Sequence, residues 1–221
     1  MFPEKNRKLQ DFSNALINWW KLNGRSFPWR HSVNSYYVLI AEFMLRRTKA
    51  LQVEKVYKEF MSKFSSLEDL LNSNSEDIYG LLHPLGLDWR NRSFLNLVAE
   101  LNGVYGGIVP VDKKELMSLP GVGEYVASAV RCFAFGFPEI VIDTNTSRVI
   151  SRVIGLEEQG ELRRRGEIKK VYNRILDQDN PREFNYALLD LGALICTPKN
   201  RKCEICPIRE FCSSCKKGMR I

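Results

Sequence analysis

Apolar positions recur along this chain at helical rather than strand spacing. Leu9, Phe12, Ala15, Leu16, Trp19 and Trp20 form one broad apolar face over residues 8–22, the period of an amphipathic helix packed on a core. Similar patterns cover residues 36–47, 51–64, 67–72, 75–82 and 90–101. They resume at 112–119, 123–135, 144–154, 164–177 and 182–196. Asp112, with Glu115 three places on, is placed to cap the short helix that follows it. Strand-like runs are short and isolated. The best, residues 139–142, has no evident partner. The pattern predicts an all-α protein with no repeats and no low-complexity linker.

Composition narrows this only a little. A chain of 221 residues buries a sizeable core as one large domain or two small ones. Its 44% hydrophobic and 27% charged residues are ordinary for a globular protein. Lys and Arg outnumber Asp and Glu by 33 to 26, a net charge of +7, which weakly favours a nucleic-acid partner. The basic residues are scattered (46–47, 90–92, 163–165, 199–202), as on a folded binding surface rather than a tail. The apolar run 37–45 is too short to span a bilayer and contains Glu42. Residues 1–10 have no hydrophobic signal core. The expectation is a soluble intracellular protein with no membrane partner. Structural disulfides are then disfavoured, so clustered cysteines call for a metal explanation.

Such a cluster exists. Cys196, Cys203, Cys206 and Cys212 are spaced C-x6-C-x2-C-x5-C. Short loops make their convergence cheap in chain entropy. Zinc and a [4Fe–4S] cluster both accept four thiolates. Zinc sites usually present two paired C-x2-C knuckles, and these four cysteines contain one, which favours iron–sulfur. Cys132 lies on an apolar helix face and reads as core. Cys215 falls outside the spacing and reads as a free thiol.

Two further stretches carry chemistry. In LPGVGEY, residues 119–125, Pro120 stops one helix, while Gly121 and Gly123 around Val122 allow a sharp turn into the next. The N–H groups and dipole of that second helix suit a phosphate. No P-loop lysine follows. The readings are a helix–hairpin–helix that holds a DNA backbone without reading sequence, or a purely structural αα-turn. Eighteen residues beyond Tyr125, VIDTNTSRV places Asp143 just before a helix. It is either a simple N-cap or a carboxylate kept ionised by the helix terminus. An ionised carboxylate there suits a reaction that builds positive charge on a sugar.

Hairpin, aspartate and cysteines stand in an order that resembles the helix–hairpin–helix DNA glycosylases with a C-terminal iron–sulfur cluster, the endonuclease III and MutY superfamily. FPWR at 27–30, AEFMLRRT at 41–48, LGL at 85–87 and FNYALLDLGALICT at 184–197 extend the match over nearly the whole chain. The resemblance implies two helical domains flanking a DNA-binding cleft. One is a six-helix domain with the hairpin, residues 27–137. The other carries the cluster and joins residues 1–26 to 138–221. The target nucleotide is expected to flip out of the duplex. By the same resemblance Asp143 stabilises an oxocarbenium-like sugar and assists the attacking water, parallel to carboxylate chemistry in glycoside hydrolysis. Tyr125 stands where strand-cleaving members carry a Schiff-base lysine, so a monofunctional enzyme without efficient AP-lyase activity is expected.

The base is harder to assign. FPWR and Glu42 resemble MutY, in which the matching glutamate protonates the departing adenine. MutY proteins usually carry a further C-terminal domain, whereas this sequence stops soon after its cysteines. The short form with Tyr125 and LRRT is most similar to the mismatch-specific thymine glycosylases, which remove thymine or uracil opposite guanine. Adenine opposite guanine or 8-oxoguanine is the alternative. A non-catalytic iron–sulfur DNA-binding or redox-sensing protein is the remote one, disfavoured by the intact Asp143 motif. The remaining site residues each keep a bland reading beside the functional one. Arg46 and Arg47 either contact the widowed base through guanine O6 or N7, or are ordinary exposed arginines. Leu87 is a wedge or core. Trp29, Arg25 and Arg30 line a base pocket or pack structurally. Asn145 holds Asp143 or its water, or caps the helix. Thr144 departs from the small residue expected after the aspartate and either narrows the pocket or adds a hydrogen bond. The partner expected is mismatched double-stranded DNA, bound by a monomer that is cytoplasmic and nucleoid-associated.

Overall fold

The computed structural model describes residues 3–86, 88–156 and 166–217, and among these it is mostly helical with no β-strand. The chain divides into two compact units: residues 26–135, and residues 1–25 together with 136–221.

In the first unit, α2 (Ser35–Met44) is the central helix. It is started by Asn34, whose side chain accepts from the backbone N–H of Tyr36 and Tyr37, and eight of its ten residues are buried. A helix that is apolar nearly all round belongs inside a domain. α3 (Ala50–Lys63) and α8 (Glu124–Phe133) pack against it. Aromatic edges close the core, with Phe94 meeting Phe43 at 5.4 Å and Phe60 at 5.6 Å between ring centroids. Around this lie α4 (Leu67–Leu71), α5 (Ser75–Leu82), α6 (Asp88–Tyr105) and α7 (Lys113–Ser118). Asp112 caps α7 by accepting from the N–H groups of Lys114 and Glu115, as the sequence predicts. The expected helix over 36–47 ends earlier, at Met44, and turns through Arg47. Arg47 has φ 58°, a left-handed conformation that cannot continue a right-handed helix.

In the second unit, α1 (Pro3–Asn23), α9 (Thr144–Ile154), α10 (Gly166–Ile175) and α11 (Pro181–Leu194) surround one core, with α12 (Ser213–Lys217) against α9. Phe12 and Leu16 of α1 meet Val149 and Ile150 of α9, Tyr172 of α10, and Phe184, Leu188 and Leu191 of α11. Ile142, immediately before Asp143, is seated in the same core.

The strand-like run at 139–142 forms no strand. A side chain supplies what a partner strand would. Buried Asn185 accepts from the Val141 N–H at 3.0 Å and donates to the Glu139 carbonyl at 3.1 Å. It also accepts from the Tyr172 hydroxyl at 2.7 Å and donates to the Pro181 carbonyl at 2.7 Å. All of its hydrogen-bonding capacity is used, which is what burial of an amide requires. The segment leading into Asp143 is therefore fastened by side chains, by Asn185 and, at the Val141 carbonyl, by Tyr172 and Thr146.

Candidate functional site

Asp143 is half-buried at the N-cap of α9. Its Oδ1 accepts from the Thr146 N–H at 2.7 Å, and its own N–H donates to Thr146 Oγ1 at 2.8 Å. This reciprocal capping box fixes the backbone of the aspartate. The other oxygen, Oδ2, accepts from Asn145 Nδ2 at 3.2 Å. Asn145 is held in turn, since its Oδ1 accepts from Arg148 Nη2 at 2.8 Å. Thr144, by contrast, is exposed.

Arg148 and Arg152 are almost fully buried on α9, at 4% and 3% exposure. Buried guanidinium groups are tolerated only when their donors are satisfied. Arg148 donates to the carbonyls of Gly192 at 2.8 Å and Cys196 at 3.0 Å. Arg152 donates to the carbonyls of Thr197 at 2.7 Å and Pro198 at 3.2 Å, and reaches Cys196 Sγ at 3.4 Å. One helix thus carries Asp143 at its first turn and organises the start of the cysteine loop from its next turns. Gly192 makes this approach possible, because a Cβ there would stand 2.8 Å from Asn145 Cβ. The sequence reading missed Arg148, Arg152 and Gly192. Two arginines four apart on the predicted helix after Asp143 were the available signal.

The cysteine loop borders a cavity lined by Cys196, Cys203, Cys206, Cys212 and Cys215, with Val149, Leu191 and Ile208 among its apolar walls. Burial pushes the Cys206 thiol up to about 12, partly offset by the Ile208 N–H. A bare Cys206 thiolate is therefore disfavoured there unless a cation compensates it. Among the described residues no three His, Cys, Asp or Glu side chains close around one point tightly enough for a single metal ion. Cys215 is a free thiol, as expected. It is 6% exposed, lines this cavity and lies with its Sγ 2.9 Å from that of Cys203. Cys132 is core, as expected.

In residues 26–135 the turn between α7 and α8 has Val122 N–H donating to the Leu119 carbonyl at 3.0 Å. Gly121 sits at φ +79°, and a Cβ there would stand 2.7 Å from Phe43 Cε2 and 3.0 Å from Arg46 Nη1. Glycine is thus required twice, by conformation and by space. Val122 is buried as the anchor of the turn. Gly123 is the exposed N-cap of α8, with no side-chain cap, and Tyr125 is half-buried in the first turn. Arg46 lies over the Phe43 ring at 5.0 Å, beside this turn. Burial first, and then the neighbouring Arg47 charge, lower its pKa. Arg47 is exposed. Thr48 Oγ1 reaches the Leu85 carbonyl at 3.4 Å and Gln52 Nε2 the Pro84 carbonyl at 2.6 Å, tying the arginine turn to the turn at 83–86. Leu87 lies outside the described residues.

Glu42 is 2% exposed on α2. The residues read as a base pocket are engaged structurally. Trp29, 3% exposed, stacks on Phe27 at 4.8 Å and meets Tyr57 edge-on at 5.3 Å. Arg30 lies over the Phe27 ring at 5.3 Å. Arg25 pairs with fully buried Asp190 through its Nε at 2.6 Å and its backbone N–H at 2.8 Å, and Trp20 Nε1 donates to the same carboxylate at 3.1 Å.

A helix-hairpin-helix motif matches residues 105–133, the stretch that contains the glycine turn. Along its length the chain is similar to the thymine/uracil-DNA glycosylase of Methanothermobacter thermautotrophicus, 34% identical over 209 residues covering 94% of this chain and 95% of the relative. Its backbone is similar to the solved structure of a thermostable thymine-DNA glycosylase, with TM-score 0.86 and 34% identity, covering 96% of this chain and 99% of that one. The adenine DNA glycosylase of Buchnera aphidicola subsp. Baizongia pistaciae is 31% identical over 92% of this chain, but the match takes in 58% of that relative.

Proposed function

The chain belongs to the helix–hairpin–helix DNA glycosylases, and from that premise we propose that it removes thymine or uracil mispaired with guanine by hydrolysing the N-glycosidic bond. The observation that carries this reading is the end-to-end similarity to thymine/uracil-DNA glycosylase, 95% of whose length is matched. Similarity to the adenine enzymes is lower and takes in 58% of the Buchnera relative.

Chemically, breaking the bond leaves positive charge on the sugar, and a fixed carboxylate beside it stabilises that charge without reorganising. Asp143 fits this role. One oxygen is held by the helix terminus and the other by Asn145, so the group is oriented before substrate arrives. The oxygen facing Asn145 is also placed to accept a proton from an attacking water. Glu42, as a buried carboxyl group, is proposed to assist departure of the base by hydrogen bonding. Tyr125 has no amine with which to form a Schiff base, so the strand is left intact.

DNA is held, in this reading, by the backbone at Gly121, Val122 and Gly123, whose turn presents the start of α8 to a phosphate. Arg46 and Arg47 are proposed to contact the strand opposite the lesion, with Leu87 as wedge. Cys196, Cys203, Cys206 and Cys212 are proposed to hold a [4Fe–4S] cluster. The donor set supports it, since these four thiols gather with apolar walls around one cavity. The cluster's role would be structural, fixing the loop that Arg148 and Arg152 bind. The protein is proposed to act as a monomer.

The test is a panel of duplexes carrying T or U opposite G and A opposite G or 8-oxoguanine, each with and without alkali. Release of T and U from G mispairs, with cleavage only after alkali and no borohydride-trapped adduct, is expected. Release of adenine alone overturns the base assignment. Strand cleavage at comparable rates without alkali overturns the monofunctional assignment.

A further inference from the structure

The cavity described above has more sulfur than one four-ligand centre uses. Cys212 and Cys215 form a second C-x2-C pair beside Cys203 and Cys206. The chain therefore holds two overlapping four-cysteine sets. One is Cys196, Cys203, Cys206 and Cys212, and the other exchanges Cys203 for Cys215, giving Cys196, Cys206, Cys212 and Cys215. In sequence alone Cys215 passes for a stray thiol. In the fold, α12 brings it back against α9 and buries it to 6% exposure on the cavity wall.

Its sulfur is hydrogen-bonded to two of the four, Cys203 and Cys212. Cys215 Sγ lies 2.9 Å from Cys203 Sγ. Two sulfurs bound to the same tetrahedral metal at 2.3 Å stand about 3.8 Å apart, and sulfurs on different metals of a cluster stand farther still. The two thiols are thus too close to serve two corners of one centre as they stand, and are placed to serve the same corner in turn. Cys196 is fixed differently, since its carbonyl and sulfur are held by Arg148 and Arg152.

We propose that Cys215 is a reserve ligand of the metal centre, able to take the place of Cys203. This rests on the reading that the cysteines hold an iron–sulfur cluster. A loop ligand lost to oxidation or to local opening would then be replaced from α12 before the cluster dissociates. The exchange would be redox-neutral, the bond to Cys203 breaking as the bond to Cys215 forms, with the Cys215 proton passing to the departing thiolate or to solvent.

The test compares wild-type protein with Cys203→Ser, Cys206→Ser, Cys215→Ala and the Cys203→Ser/Cys215→Ala double variant, all purified without oxygen. Iron and acid-labile sulfide per chain, visible absorbance and far-UV circular dichroism are measured on each. Cys203→Ser is expected to keep most of its iron and sulfide, while the double variant loses them about tenfold or more. Cys206→Ser, which has no spare thiol assigned to it, is expected to lose them as the double variant does. In air, Cys215→Ala is expected to lose iron several-fold faster than wild type, a measurement that needs no ligand to be deleted. Equal loss from Cys203→Ser and the double variant, or equal rates of iron loss in air, overturns the reserve role. Wild-type protein without iron and sulfide overturns the cluster reading beneath it.

Discussion

Adding one methyl group at Gly192 tests whether the packing of α11 on α9 positions Asp143. In Gly192→Ala the new Cβ would stand 2.8 Å from Asn145 Cβ and 3.3 Å from both the carbonyl carbon and oxygen of Asn145. Carbon atoms settle at about 3.5 Å or more, so Asn145 or the facing helix must retreat by about 0.7 Å. Asn145 Nδ2 now reaches Asp143 Oδ2 at 3.2 Å. A retreat of that size takes the contact to about 3.9 Å, beyond hydrogen-bonding range. Overpacking of this kind costs about 1–3 kcal/mol. At roughly 2–4 °C per kcal/mol for a chain of this size, that lowers Tm by about 2–12 °C. Loss of the aspartate's orientation is expected to slow base release by about 10- to 100-fold, while binding to an uncleavable duplex stays within about twofold. Gly80→Ala is the matched control. It lies within α5 with nothing within 4 Å of its added Cβ and should gain about 0.5–1 kcal/mol from reduced backbone entropy, with catalysis unchanged. Unchanged Tm and single-turnover rate in Gly192→Ala would refute the reasoning.

Asn185→Ala leaves the Glu139 carbonyl and Val141 N–H without their side-chain partner and should cost about 3 kcal/mol or more, seen in urea unfolding; a loss below about 1 kcal/mol would mean the segment is fastened otherwise. Gly121→Ala, at φ +79° and against Phe43, should raise Kd for any duplex at least tenfold without altering the preferred base. A changed base preference, or unaltered binding, would contradict the hairpin assignment. Asp177 provides a pH test. Burial alone would raise its pKa, but bonds from the Ser13 hydroxyl and from Asn180 and Asp179 leave it lowered. A carboxylate whose folded pKa is lowered stabilises the fold above its unfolded pKa of about 3.9, and that contribution vanishes as pH falls through the folded value. Asp177→Asn should therefore be less stable than wild type near neutrality, and the two should converge in acid. A difference that persists below both values would show that packing, not charge, is responsible.

How much of this was legible in sequence depends on distance along the chain. Helices came through because their apolar period is local, and the Asp112 cap and the hairpin glycines came through for the same reason. Asp143 was legible both as a cap and, by resemblance, as a catalytic group, and the structure gives it the capping geometry. The segment at 139–142 read as strand-like but partnerless, and its partners are side chains instead, chiefly Asn185 more than forty residues later, with Tyr172 and Thr146. Arg148 and Arg152 were missed, since their acceptors are carbonyls near residues 192–198 that no local pattern reveals. Trp29 and Arg25 read either as pocket lining or as structural packing, and the contacts that local sequence did not show are stacking on Phe27 and pairing with Asp190. Cys215 was set aside because only the return of α12 brings it beside Cys203.

The central claim is that Asp143 drives hydrolysis of the thymine glycosidic bond opposite guanine without cutting the strand. Single-turnover release of thymine from a T·G duplex, measured for wild type and Asp143→Asn with binding followed in parallel, tests it most directly. The account predicts free thymine and an alkali-labile but unbroken strand for wild type. It predicts release slowed by at least about 100-fold in Asp143→Asn, with binding retained. Comparable thymine release from Asp143→Asn would contradict it.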